Sequence, residues 1–192
     1  MASAADYGSH VGACLKLFNA GLCAWLAQEL PPRLGHSWLE WCAKKANRSH
    51  VAPLEEMDTR MLIDLLLSGW DDLFGSFMDR EQPNLLFDVR RARNRWAHQD
   101  RMGARDTYRQ VDAIYRFLLS LKDCPETQMQ AQQVDAVCEE LTLVMAREVL
   151  RDRQQRAVAQ QPALVQQQPL PEVQDEDGDS DEVMLGADTD NW

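Results

Sequence analysis

DYGSHVGACLKLFNAGLCAWLAQEL, from Asp6 to Leu30, carries apolar residues at steps of three and four: Val11, Cys14, Leu15, Phe18, Leu22, Trp25 and Leu26. That spacing places them on one side of a helix, the stripe by which a helix docks on a core. Pro31-Pro32 is expected to stop it, because a proline disfavours helical geometry in the residue before it. The same period recurs downstream. Trp38, Leu39, Trp41 and Cys42 imply a short helix ending near Lys45, and residues 46–56 read as a connector. Asp58 suits the N-cap of the next helix, which Leu62, Leu65, Leu66, Trp70, Leu73, Phe74 and Phe77 carry to about Met78, with Gly69 weakening or bending it by ~1 kcal/mol relative to alanine. Pro83 fits the first turn of a further helix that frays near Gln99. Thr107-Tyr-Arg-Gln110 has the capping-box pattern and is expected to open the helix of Val111, Ile114, Leu118 and Leu121. Asp123-Cys-Pro125 punctuates, and a last helix is expected from about Thr127 to Arg156. No segment alternates with period two. The fold class is all-α, an up-and-down bundle of five or six helices.

The chain has 192 residues, with 20 Lys+Arg, 31 Asp+Glu and a formal net charge of −11. The excess is local: nine acidic residues and no Lys or Arg lie in 157–192, so residues 1–156 hold 22 acidic and 20 basic groups and are nearly neutral. Domain organisation follows. Residues 1–156 form one helical domain, and residues 157–192 form a Gln/Pro-rich then acidic tail with too few large apolar groups to offset ordering entropy, expected to be disordered. The tail reads as a solubilising end; the competing reading lays its carboxylates over a basic surface of the body.

Other classes are excluded. No apolar run approaches the ~20 residues of a bilayer span, and the N-terminus lacks a secretory pattern, so no membrane is expected. Cys14, Cys23, Cys42, Cys124 and Cys138 are odd in number and contain no Cys-x-x-Cys. They read as small hydrophobes in a reducing, intracellular compartment: cytoplasmic, or nuclear in a eukaryote. His10, His36, His50 and His98 give no ligand pair, and no glycine-rich phosphate loop occurs. Neither a metal nor a cofactor is expected.

Arginine is concentrated in one place. Between Arg80 and Arg116 lie nine arginines, five acidic residues and no lysine. The guanidinium fork matches phosphate bidentately and keeps its charge when partly desolvated. The bland alternative is a solvated face pairing with Asp88, Asp100 and Asp106. The centre of the cluster is Arg90-Arg-Ala-Arg-Asn-Arg-Trp-Ala-His98, and within it Arg93-Asn94-x-x-x-His98. Residues five apart on a helix point ~140° away from each other. Arg93 and His98 therefore converge only if the helix ends near His98 or if a second copy packs alongside. Trp96, following Val89 and Ala92, reads as a core residue, with a base-stacking platform as its other reading.

Arg93-Asn94-x-x-x-His98 resembles the Arg-x(4–6)-His motif of the HEPN superfamily of small helical domains. Asp71-Asp-Leu-Phe74, the run from Val89 to Gln99 and Asp106-Thr-Tyr-x-x-x-Asp112 resemble its Swt-type branch, known from a nuclear mRNA-surveillance endoribonuclease and from bacterial phage-defence proteins. The similarity covers residues 8–156. It implies a metal-independent endoribonuclease acting in RNA processing, phage defence or as a toxin, with a composite site at a homodimer interface. In that reading His98 moves the proton of the ribose 2′-hydroxyl or of the leaving 5′-oxygen, Arg93 neutralises the phosphorane oxygens, and Asn94 orients His98 or binds the phosphate. Arg90, Arg91, Arg95, Arg101 and Arg105 would steer RNA. The products would be a 2′,3′-cyclic phosphate and a 5′-hydroxyl. The alternative is a non-catalytic HEPN module that binds RNA or recruits a protein partner such as an antitoxin.

Overall fold

The computed structural model describes residues 7–165, with side chains described through residue 159. The described part contains six α-helices: α1 (Tyr7–Leu34), α2 (Trp38–Lys45), α3 (Thr59–Ser68), α4 (Gln82–Ala97), α5 (Ala104–Ser120) and α6 (Pro125–Val165). Short 3-10 turns occupy Gly35–Ser37, Leu54–Glu56 and Phe74–Ser76, and no strand occurs among the described residues. The all-α expectation holds.

α1 is the central helix. It packs against α3, α4 and α5, while α4 packs on both α3 and α5. Val11, Cys14, Phe18, Leu22, Leu26 and Leu30 of α1 are fully buried, so the apolar stripe of the sequence is the core face. The segment Tyr7–Lys45, which contains α1, is long and apolar enough to span a bilayer, with a mean hydropathy of 1.2 over its most apolar 18-residue window, and 56% of that window is buried inside the fold. Phe18 meets Phe117 of α5 with ring centroids 5.4 Å apart. α5 and α6 both approach α1 closely at Gly21, where a Cβ would lie 3.0 Å from Leu118 and 3.4 Å from Gln130. The buried Thr127 hydroxyl uses that approach, donating to the Gly21 carbonyl at 2.9 Å. All five cysteines are free and buried. Burial pushes the thiols of Cys14, Cys23 and Cys42 up to about 12, and burial together with Asp112 and Asp135 does the same at Cys138.

Four boundaries differ from the sequence expectation, each for a local reason. α1 passes through Pro31 and Pro32 and ends at Leu34. The amide donors those prolines lack would have bonded the carbonyls of Ala27 and Gln28, both exposed residues open to solvent. The last turn is held instead by buried Leu30 and by Arg33, which pairs with Glu29 at 2.5 Å and lies 4.1 Å from the centre of the Phe77 ring. Gly35, at φ +65, then closes the helix.

Gly69 ends α3 rather than bending it. Its amide caps the Leu65 carbonyl, and the chain turns so that Trp41 and Phe74 lie over it. Thr107 does not open α5. The helix begins a turn earlier, at Ala104 after Gly103, and leaves Thr107 fully buried inside it. α6 starts at Pro125, where the ring suits the first helical position, and continues past Arg156 to Val165. Disorder is expected from 157, but 157–165 continue α6; the rest of that tail, 166–192, lies outside the described residues.

Other expectations hold. α2 spans Trp38–Lys45, Pro83 sits in the first turn of α4, and Asp58 caps α3 by accepting from the Met61 amide at 2.8 Å. The chain divides into two compact units, one reaching Arg151 and a second beginning at Asp152.

Candidate RNA-binding and catalytic site

The C-terminal end of α4 is built by backbone geometry. His98 is the C-cap, and the next residue, Gln99, has a φ of +54. The Gln99 amide donates to the Trp96 carbonyl and the Asp100 amide to the Arg95 carbonyl, both at 3.0 Å. These are the two bonds of a Schellman motif, with glutamine in the left-handed position that glycine normally fills. The helix therefore ends at His98, one of the two conditions under which Arg93 and His98 can approach each other. The His98 amide donates to the Asn94 carbonyl at 3.0 Å, so these residues stand one turn apart on one side of the helix. Both are exposed.

Arg93 lies on a different side, toward α3. Its Nη2 is 3.7 Å from Asp58 Oδ2, and its Nη1 is 3.4 Å from Asn94 Oδ1. Asp58 thus has two tasks: one carboxylate oxygen caps α3 and the other faces the Arg93 guanidinium. Arg90 faces Asp64 at 3.7 Å, and Asp64 also faces Arg60 at 3.6 Å. Two arginines of α4 are therefore oriented by carboxylates of α3. Nothing local in the sequence foretold these pairs, because they depend on how α3 and α4 cross.

The bland partners named from sequence are also found. Arg91 faces Asp88 at 3.5 Å, and Arg95 lies 3.6 Å from both Asp100 and Asp106. Arg101 and Arg105 are exposed and form no ion pair among the described residues. The structure thus gathers Arg93, Asn94 and His98 on the last turns of one helix, and places Arg90, Arg91, Arg95, Arg101 and Arg105 on that helix, its linker and the start of α5.

Trp96 departs from the core reading. It is 43% exposed, at the rim of the seam between α1 and α4. Its indole rests on Gly12 of α1, where a Cβ would fall 2.6 Å from Nε1. The signal in the sequence was Gly12 itself: a glycine within a helix stripe marks a close approach. Tyr7 and His10 stand at the start of α1 with their rings edge to face, and each faces a carboxylate of α6. The Tyr7 hydroxyl donates to Glu148 at 3.2 Å, and His10 Nε2 is 3.9 Å from Glu140. Burial, and then the Glu148 carboxylate, push the Tyr7 phenol pKa up. Among the described residues, no three His, Cys, Asp or Glu side chains gather into a set able to hold a metal ion.

The family model described as Swt1-like HEPN matches residues 13–122, a span that runs from α1 through α5 and includes the whole α4 end. No curated protein and no solved structure matches the chain.

Proposed function

The chain belongs to the Swt1-like HEPN family, and from that premise we propose that it is an endoribonuclease whose site forms where two copies of the α4 end meet. The observation that carries this reading is the end of α4: His98 exposed at the cap, with Asn94 and Arg93 on the final turns. One His98 imidazole takes the proton of a ribose 2′-hydroxyl as that oxygen attacks phosphorus. The bond from phosphorus to the 5′-oxygen breaks, and the His98 of the second copy gives its proton to the leaving oxygen. Arg93 stabilises the charge that grows on the phosphorane oxygens, and Asn94 orients the imidazole or bonds the phosphate. Arg90, Arg91, Arg95, Arg101 and Arg105 guide the RNA backbone. The products are a 2′,3′-cyclic phosphate and a 5′-hydroxyl, an outcome suited to RNA processing, phage defence or a toxin held by an antitoxin.

A second reading is favoured by a specific observation: Arg90, Arg93 and Arg95 already face carboxylates. In that reading the module binds RNA or a protein without cleaving. The test is incubation of the full chain with structured and unstructured RNA in EDTA, with sedimentation to record the oligomer. Cleavage is expected to survive chelation and to fall by at least about 100-fold in both His98→Ala and Arg93→Ala. Intact RNA, or cleavage unchanged in those variants, leaves the binding module.

A further inference from the structure

Trp96 is a large apolar group that the fold leaves half in water. Its position on α4 continues the line of buried Val89 and Ala92, yet the core ends before it. One edge of the indole, Nε1 and Cε2, lies against Gly12 of α1, and the ring has no aromatic partner among the described residues. Arg93, which faces Asp58 at 3.7 Å, is its neighbour three residues back, ~60° around the helix, and Arg101 and Arg105 beyond the cap carry no ion pair among the described residues. A supported, half-exposed ring beside a guanidinium is the arrangement by which single-stranded nucleic acid is held: the base stacks on the ring and the phosphate meets the cation.

We propose that Trp96 and Arg93 form a nucleotide subsite, with an unpaired base of RNA stacked on the exposed part of the Trp96 ring and its phosphate at Arg93. The occupant is RNA rather than a protein because Arg101 and Arg105, just past the helix cap, are exposed and form no ion pair among the described residues, which leaves two cations free for a phosphate backbone. The subsite deepens the ribonuclease reading and rests on it. It places the base flanking the attacked phosphate on the opposite side of the α4 tip from His98, so that cleavage requires single-stranded RNA. The stack is sequence-tolerant, because every base has a π face.

The test uses the full chain and an uncleavable 2′-O-methyl oligoribonucleotide, compared with an abasic ribose-phosphate chain of equal length. Wild type is expected to bind the base-bearing chain about tenfold more tightly than the abasic one. Trp96→Ala should abolish that preference while leaving affinity for the abasic chain within twofold, and Trp96→Phe should retain most of it. Circular dichroism and thermal melting report whether the variants fold. A preference that survives in folded Trp96→Ala overturns the subsite, as does a variant that dissociates a dimer without altering base preference. If neither chain binds wild type, the ribonuclease reading falls together with the subsite. If RNA is cut and His98→Ala stops it while Trp96→Ala changes nothing, the subsite alone falls.

Discussion

Replacing Asp58 separates the two tasks of its carboxylate. Oδ1 accepts the Met61 amide at 2.8 Å, a bond that satisfies one of the free donors at the start of α3. Loss of such a cap costs about 1 kcal/mol. Oδ2 faces Arg93 at 3.7 Å, longer than a good hydrogen bond, with the Asp58 side chain 56% exposed, so this pair contributes only a few tenths of a kcal/mol. Asp58→Ala removes both and should cost about 1–1.5 kcal/mol, lowering Tm by about 2–6 °C for a chain of this size. Asp58→Asn keeps an acceptor for the cap and should cost about 0.5 kcal/mol or less. Urea unfolding followed by circular dichroism measures both, and the Asp58→Asn/Arg93→Gln cycle isolates the pair. Asp58→Asn also removes the carboxylate that competes with phosphate for Arg93. Affinity for an uncleavable RNA should then rise by up to about fivefold at low salt, by the Coulomb energy of a unit pair ~4 Å apart in water. Equal urea midpoints for the alanine and asparagine variants would refute the assignment of the cap bond as the larger of the two contributions.

Three further outcomes follow from other places in the fold. Gly69→Ala should destabilise by about 1–3 kcal/mol, because its methyl would lie 2.6 Å from Trp41 and 3.0 Å from Phe74; a helix-propensity argument predicts the opposite sign, so a higher Tm would overturn the packing account. Gln99→Gly should stabilise by about 0.5–1 kcal/mol, since the φ of +54 strains a side chain and not a glycine; an unchanged or lower urea midpoint contradicts it. The buried thiols give an alkaline limit. Below pH 9 they are protonated in both folded and unfolded chains and stability does not depend on them. Above it the unfolded chain releases protons that the folded one, with thiols near 12, keeps. Stability should then fall by about 1.4 kcal/mol per pH unit for each protected thiol, until about pH 12. Urea midpoints from pH 8 to 10.5 in reductant test this, and a flat profile, or no change of slope in Cys42→Ala, would count against it.

The candidate site was legible in part. Arg93, Asn94 and His98 stand out because arginine, an amide and histidine crowd one helix end, and the end itself is where the periodicity stops. Its boundary was not marked by glycine: Gln99 takes the left-handed position. The carboxylates of Asp58 and Asp64 were invisible as partners, because the α3–α4 crossing alone brings them to Arg93 and Arg90. Trp96 was misplaced for a related reason. Periodicity assigns a residue to a face, but exposure at a helix end depends on how far the neighbouring helix extends and how small its residues are there.

Local chemistry by itself determined the helical class, the N-cap at Asp58, the first-turn proline at Pro83 and the apolar face of α1, since each depends on residues within a few positions of one another. Packing decided whether Pro31 and Pro32 end a helix or ride in its last turn, and whether Gly69 bends a helix or closes one under Trp41 and Phe74. It also decided which carboxylates hold the arginines. Those outcomes rest on contacts between segments far apart in the chain, where the free energy of a neighbouring helix outweighs the preference of a single residue.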